Sequence, residues 1–307
     1  MAETLNLVNP SDSLSIKYEI SKFPDGQQSL RLIEDGYPTF HSLKGNSNGI
    51  TIISRLNTFQ DLEIIICATQ ALNEVGINRI RLYIPYCIGA RSDRKFMEGG
   101  INYVKTVIAP IINSQGYEKV AILDPHSDVL EACINNFIKE DNLKLVKFAL
   151  PQIDNTNEAR EKTVIISPDA GALKKIYNVA EAFNISKIVI AAKHRDIKTG
   201  NITHTEVPDL DKYRTDSNFV IIDDICDGGR TFIEIAKVIK SHVWPHDEYF
   251  KGKIYLIVTH GIFSAGYAQL GEYFDGIYCT NSVKDIGETE YHALTNTPTK
   301  VKQLNVF

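Results

Sequence analysis

The run Val220 to Phe232, VIIDDICDGGRTF, carries residue types placed for phosphate and hydroxyl chemistry. Val220, Ile221 and Ile222 form an apolar stretch that ends in two adjacent carboxylates, Asp223 and Asp224. Asp227 opens a turn through Gly228 and Gly229, Arg230 follows, and Thr231 starts a segment with helical spacing that runs to Lys240. Glycines let backbone N–H groups approach an anion closely, and a helix N-terminus adds its dipole to them. The turn Asp227–Thr231 can therefore wrap a phosphate. Asp223 and Asp224 are placed to hold ribose hydroxyls or a hydrated cation. A polar turn ahead of a capped helix would explain Asp-Gly-Gly alone, but clustered carboxylates behind an apolar strand are costly without such a partner. A sugar phosphate suits this chemistry.

Presenting these groups requires a sheet whose strands end on one side. Strand-like and helical runs alternate along the chain, which predicts a parallel α/β architecture. Ile50–Ser54, Arg79–Pro85 and Lys119–Leu123 read as strands, with helices over Asp61–Val75, Val104–Ser114 and Ser127–Phe137. In the second half Thr163–Ile166, Lys187–Ala191, Phe219–Ile222 and Lys253–Thr259 read as strands, and Gly171–Phe183 and Thr231–Lys240 as helices. Residues 138–161 and 241–252 read as connections. TIISR (Thr51–Arg55), then a helix and RLYIPY, echoes VIIDD (Val220–Asp224), a helix and KIYLIV. Two similar domains, 1–145 and 146–307, explain that echo; so does the general likeness of any two βαβ units.

Ligands of parallel sheets gather at the carboxyl ends of the strands. Asp124 and His126 follow one strand, Asp169 another, and Lys193, His194 and Arg195 a third. His126 and Asp169 are candidates for Mg²⁺, which takes few protein ligands plus phosphate oxygens. Lys193 and Arg195 are candidates for neutralising charge on a transferred phosphate. Singly, each has an ordinary explanation as a turn aspartate or a solvated lysine. Their recurrence beside the acidic run favours the joint reading.

Composition sets outer bounds. The chain has 307 residues, 43% hydrophobic and 23% charged, enough for one large or two medium domains. A net charge of −5 gives no support for nucleic-acid or membrane-surface partners, so phosphate binding must rely on local basic groups or a metal. No apolar run approaches membrane-spanning length, and the start, MAETLNLVNPSDS, lacks a secretory pattern. Cys67, Cys87, Cys133, Cys226 and Cys279 are scattered without metal-ligand spacing, as expected of free thiols in a reducing cytoplasm.

The Val220–Phe232 run resembles the phosphoribosyl-diphosphate-binding loop shared by type I phosphoribosyltransferases and phosphoribosyl diphosphate synthetases. Six further ordered segments resemble the second of these, the ribose-phosphate diphosphokinase family, over nearly the whole chain. FPDGQ (Phe23–Gln27) is similar to its adenine-contacting loop and IPYCIGARSDRK (Ile84–Lys95) to its ATP loop. LDPHSD and SPDAG are similar to its histidine and aspartate segments. KHR (Lys193–Arg195) is similar to its mobile catalytic loop, and THGIFS (Thr259–Ser264) to a later signature.

The resemblance implies two phosphoribosyltransferase-like domains, each a mainly parallel sheet flanked by helices. It implies transfer of the β,γ-diphosphate of Mg-ATP to the anomeric hydroxyl of ribose 5-phosphate, with AMP leaving, for nucleotide or NAD biosynthesis. By the same resemblance Phe23, Asp25, Gln27, Arg91, Asp93, Arg94 and His126 bind ATP, and Lys193, Arg195 and His126 serve catalysis. His126 and Asp169 would hold Mg²⁺. Asp223, Asp224, Asp227, Gly228, Gly229, Arg230 and Thr231 would hold the sugar phosphate. A cytoplasmic homo-oligomer is implied, with the adenine loop completed by a neighbouring subunit.

The chain departs from the family pattern in places. Gln27 replaces a Glu, His194 an Arg and Arg230 a Gly. Phe96–Thr106 replaces a basic segment that bears on phosphate activation and ADP inhibition, and the sequence stops at Phe307, ahead of the family's last helix. These departures imply an active enzyme with altered regulation and assembly. Three alternatives stand beside it: the same transfer to ADP-ribose, with Arg230 serving the extra phosphate; an inactive regulatory subunit; and a base-transferring phosphoribosyltransferase. Retention of His126, Asp169, Lys193 and the acidic pair opposes the second, and the ATP-like loops oppose the third.

Overall fold

The computed structural model describes residues 3–34, 39, 41–43, 49–153, 161–195, 202–286 and 301–307. The chain divides into two compact units, Met1–Asp141 with Val306–Phe307, and Asn142–Asn305. The sequence reading drew its boundary after residue 145; the contacts draw it after Asp141 and return the last two residues to the first unit.

In the first unit, β1 (Glu3–Asn6) precedes an antiparallel hairpin, β2 (Lys17–Lys22) and β3 (Gln28–Ile33). Then come β4 (Ile50–Ile53), α1 (Phe59–Glu74), β5 (Ile80–Tyr83), α2 (Ala109–Ser114), β6 (Lys119–Leu123), α3 (Val129–Cys133) and β7 (Phe137–Glu140). The sheet is parallel, in the order β1-β4-β5-β6-β7. α1 starts ahead of Asp61 because Thr58 and Asp61 form a capping box: Thr58 Oγ1 accepts from Asp61 N, and Asp61 Oδ2 accepts from Thr58 N. The helix expected over Ser127–Phe137 is only the short α3. Asn113 stops it, donating to Cys133 O and accepting from Asn135 N, both at 2.9 Å. Asn136 then takes a left-handed conformation, φ 55°, and the chain returns as β7.

In the second unit, α4 (Leu143–Ile153) leads to β8 (Thr163–Ser167), α5 (Leu173–Phe183) and β9 (Ile188–Ile190). An antiparallel pair, β10 (Ala192–Arg195) and β11 (Ile202–Glu206), follows. The chain continues through β12 (Asn218–Cys226), α6 (Arg230–Ser241), the short pair β13 (Val243–Trp244) and β14 (Glu248–Tyr249), β15 (Lys253–Gly261), α7 (Ala268–Tyr273), β16 (Gly276–Thr280) and β17 (Val301–Leu304). Six parallel strands run in the order β17-β16-β15-β12-β8-β9. Helices cover both faces, so β8 and β16 are buried at every position and carry no polar alternation.

Two stretches read as connections prove to be structured. Residues 138–161 include most of β7 and all of α4, whose Leu145, Val146, Ala149 and Ile153 pack against the sheet; residues 154–160 lie outside the described ones. Within 241–252, Trp244 is buried, and its indole N–H donates to Leu210 O and Tyr213 O.

Candidate functional site

The period-2 alternation of β12 assigns faces to its side chains. Phe219 and Ile221 pack into one hydrophobic layer, Val220 and Ile222 into the other. The strand does not stop at Ile222 as the sequence suggested, because β15 keeps pairing with it as far as Cys226 opposite Gly261. Asp223 and Asp224 therefore stand within the strand, close enough for their carboxyl groups to interact. Asp224 continues the Val220–Ile222 face, against which α5 packs Ile176 and Val179. It is buried, and Lys175 Nζ of α5 lies 3.7 Å from its Oδ2. Asp223 is half-buried and accepts from Asp224 N at 2.9 Å. Desolvation holds the Asp223 carboxyl well above its ordinary value, the charge of Asp224 adds to this, and Asp169 adds further. Asp169 is fixed by its own turn after β8: Ser167 Oγ donates to its carbonyl at 2.7 Å, and its Oδ1 accepts from Ala172 N at 3.2 Å.

The loop beyond β12 is tied to the loop beyond β15. Cys226 O accepts from Ile262 N and Phe263 N, and Ser264 Oγ donates to Asp227 Oδ1 at 2.6 Å. Gly229 has φ +79°, so its conformation demands glycine, and a Cβ there would also press on the flexible Leu270 Cδ2 at 2.9 Å. Gly229 is the N-cap of α6, and no side chain caps that end. The first amides of α6 are thus presented to an anion, with the helix dipole behind them. Thr231 is half-buried in this first turn, while Asp227 and Arg230 are exposed.

Sequence reasoning missed Lys175. The lysine pair Lys174-Lys175 just after SPDAG was visible. Only the packing of α5 on the Asp224 face shows which carboxylate it meets. Lys193 and Arg195 do not simply trail a strand: their backbone forms β10, with Lys193 opposite Thr205 and Arg195 opposite Ile202 across a register shift.

The first unit holds the remaining candidates. Phe23, Asp25 and Gln27 form the tip of the β2–β3 hairpin, where Phe23 N donates to Gln27 O and Asp25 Oδ1 accepts from Gln27 N. Phe23 is 49% exposed, free for a planar partner. Gln28 anchors the tip to α1, donating through its side chain to Gln60 O and Glu63 Oε2 at 3.1 Å. Arg91, Asp93 and Arg94 lie on the loop after β5. That loop is knitted to the divergent stretch: Tyr103 N donates to Ser92 O, Asn102 Nδ2 donates to Asp93 O, and Arg94 sits 5.2 Å over the Phe96 ring. His126 is exposed after β6, in a turn where Asp124 takes φ 41° and its N–H donates to Glu140 O at 2.7 Å.

Among the described residues no three His, Cys, Asp or Glu side chains are arranged to hold a metal ion. A Mg²⁺ would rest on one or two protein ligands and on substrate oxygens, its usual habit. A cleft of about 480 Å³ lined by Tyr213, Arg214, Trp244 and Lys251 lies elsewhere in the second unit, and its charges are already matched, Arg214 to Asp216 and Lys251 to Glu248. No helix among the described residues is long and apolar enough to cross a membrane.

Residues 138–243 match the model of the phosphoribosyl transferase domain. The chain is 28% identical over 232 residues to the ribose-phosphate pyrophosphokinase of Sulfurisphaera tokodaii, covering 74% of this chain and 72% of that one. It is 26% identical over 299 residues to the ribose-phosphate pyrophosphokinase of Pyrococcus abyssi, covering 95% and 88%. The chain is thus similar to ribose-phosphate pyrophosphokinases, from which it diverges at 26–28% identity. Its fold agrees: the crystal structure of phosphoribosylpyrophosphate synthetase from Mycobacterium smegmatis superposes with a TM-score of 0.75 at 16% identity, covering 99% of this chain and 94% of that one. The two main sheets are thus phosphoribosyltransferase-like in fold, parallel and flanked by helices.

Proposed function

We propose that the protein transfers the β,γ-diphosphate of ATP to the anomeric hydroxyl of ribose 5-phosphate, giving phosphoribosyl diphosphate and AMP. The observation that carries this reading is the side-chain-free N-terminus of α6, set directly after the acidic pair of β12. Its neutral amides suit a phosphate monoester, and Asp223 and Asp224 suit the ribose hydroxyls beside it. The similarity to relatives named ribose-phosphate pyrophosphokinase supports the same reaction.

In this reading Gly228, Gly229, Arg230 and Thr231, with Asp227, hold the 5-phosphate. The anomeric oxygen bonds to the β-phosphorus, the bond from that phosphorus to the α,β-bridging oxygen breaks, and AMP leaves with that oxygen. The hydroxyl proton passes to solvent. Phe23 packs on adenine, Asp25 and Gln27 bond its edge, and Arg91, Asp93, Arg94 and His126 take the rest of the nucleotide. Lys193 and Arg195 neutralise the charge that develops on the moving phosphate, in chemistry that depends on positioning more than on a covalent nucleophile. Mg²⁺ would supply further neutralisation, Asp169 being a candidate ligand in the second unit and His126 one in the first. Burial and the neighbouring Asp224 and Asp169 raise the Asp223 carboxyl, so a cation beside it would be favourable. Assembly as a homo-oligomer belongs to the same reading, and light scattering at assay concentration checks it.

A second acceptor, ADP-ribose, is favoured by one observation: Arg230 is exposed at the first position of α6, where a second phosphate would meet it. The amide cradle favours the monoester, so ribose 5-phosphate stands first. The deciding assay supplies Mg-ATP with each acceptor and identifies the nucleotide released. AMP with ribose 5-phosphate is expected; ADP as the product would refute diphosphate transfer, and activity on ADP-ribose alone would reverse the order of acceptors. Lys193→Ala should lower kcat about a hundredfold or more with the melting temperature preserved. An unchanged kcat would return Lys193 to the role of a solvated strand residue.

A further inference from the structure

α5 carries a lysine on the side it packs against the sheet. Ala172 just ahead of the helix and Ile176, Val179 and Ala180 within it are buried, and Lys175 falls among them at helical spacing. Lys174 and Tyr177, on either side of that stripe, are exposed. The Lys175 side chain keeps 21% of its exposure and that of Asp224 only 7%, with Nζ 3.7 Å from Oδ2.

Such a pair is a poor device for stability. Removing an ammonium and a carboxylate from water costs about as much as their attraction contributes, and apolar residues of similar volume often pack as well or better. Its surroundings supply another reason for it. Asp224 stands beside Asp223 in β12, its N–H donates to Asp223 Oδ1 at 2.9 Å, and the two carboxyl groups interact. Like charges so close repel each other, and a cation near one of them steadies both. The strand ends two residues later at Cys226, ahead of the glycine turn and α6. The start of α5 is itself fixed from the same side of the site: Asp169 Oδ1 accepts from Ala172 N, three residues ahead of Lys175, at 3.2 Å.

We propose that Lys175 is a positioning residue of the sugar site, its ammonium fixing Asp224 and, through Asp224, Asp223 for the ribose hydroxyls. A carboxylate accepts several donors at once, so an ammonium and a hydroxyl can share one. This rests on the reading that the acidic pair of β12 holds ribose.

Steady-state kinetics tests it, with KM for ribose 5-phosphate and KM for Mg-ATP measured separately. Lys175→Met keeps much of the side chain's length and removes its charge. It should raise KM for ribose 5-phosphate about tenfold, the loss expected for a charge-assisted contact, and leave KM for ATP within about twofold. Lys175→Arg, which keeps the charge, should return KM for ribose 5-phosphate to within about threefold of wild type. Added to Asp224→Asn, the change Lys175→Met should cost less than about twofold more, because a residue that acts through Asp224 has nothing left to act on. If Lys175→Met alone does not fold, the double variant, which removes both charges, still decides by comparison with Asp224→Asn: matching kinetics support the assignment and a further loss overturns it. An unmoved KM for ribose 5-phosphate in Lys175→Met would overturn it too, as would KM values for both substrates rising together, the mark of a structural role. An active wild type with an unaltered Lys175→Met sinks only this assignment. A wild-type protein inert on ribose 5-phosphate sinks the proposed function and this assignment together.

Discussion

Within β12 two carboxylates stand side by side and one of them, Asp224, meets Lys175 of α5, whereas just beyond β4 Arg55 lies over the ring of Phe307. The backbone around the two places is similar, a parallel strand bonded on its flank to the next strand's end. The difference lies in the charges, and each charge has a partner suited to it. The buried Asp224 needs an opposite charge, because a desolvated carboxylate is costly alone. Arg55 is half-buried, and the ring lies against its guanidinium. One scaffold can thus present anions in one unit and a cation in the other, since the sheet's own hydrogen bonds leave the strand-end side chains free to vary.

The largest expected effect breaks this comparison at its acidic end. Asp224→Asn should lower kcat/KM for the sugar phosphate by about a hundredfold, leaving Lys175 without its charged partner, while ATP affinity stays near wild type. Steady-state kinetics in both substrates separates the two parameters, and an equal loss of ATP affinity would show that Asp224 serves the fold rather than the sugar site.

A second contrast concerns the glycines that shape the two loops. Gly89 has φ +76°, and a Cβ there would sit 2.2 Å from Tyr103 Cδ1; at Gly229 the nearest atom is the flexible end of Leu270, at 2.9 Å. Gly89→Ala should therefore cost about 2–4 kcal/mol of stability and Gly229→Ala about 1–2, read by denaturant unfolding. Equal costs would show that φ strain, rather than the neighbour, sets the penalty.

The smallest effect is on stability against pH. Folding raises the Asp223 carboxyl, so the folded state favours its proton. That contribution is fully present below the ordinary aspartate value, about 4, and is lost as pH rises through the raised folded value. Asp223→Asn removes the dependence. It should melt a few degrees above wild type at neutral pH and alongside it near about pH 3. A variant less stable than wild type at neutral pH would show that the ionised pair is well compensated. Arg55→Gln should show no such crossing.

Much of the fold was legible because its signals are local. Apolar runs ending at polar turns marked the central strands, and Asp-Gly-Gly marked the turn ahead of α6, since glycine's conformational freedom is a property of the residue itself. β7, α4 and the short antiparallel pairs were not legible. Their residues do not hold one period for long enough, and Asn113, from another helix, decides where α3 stops.

The sequence by itself determined that two carboxylates, a glycine turn and a helix start follow one another. Tertiary structure alone decided that β12 runs on past both carboxylates, that Lys175 meets Asp224, and that Phe307 lies on Arg55. Chain neighbours fix backbone conformation within a few residues. Which distant side chains share a desolvated space is fixed only when sheets and helices pack, because that is when burial makes an unpartnered charge expensive.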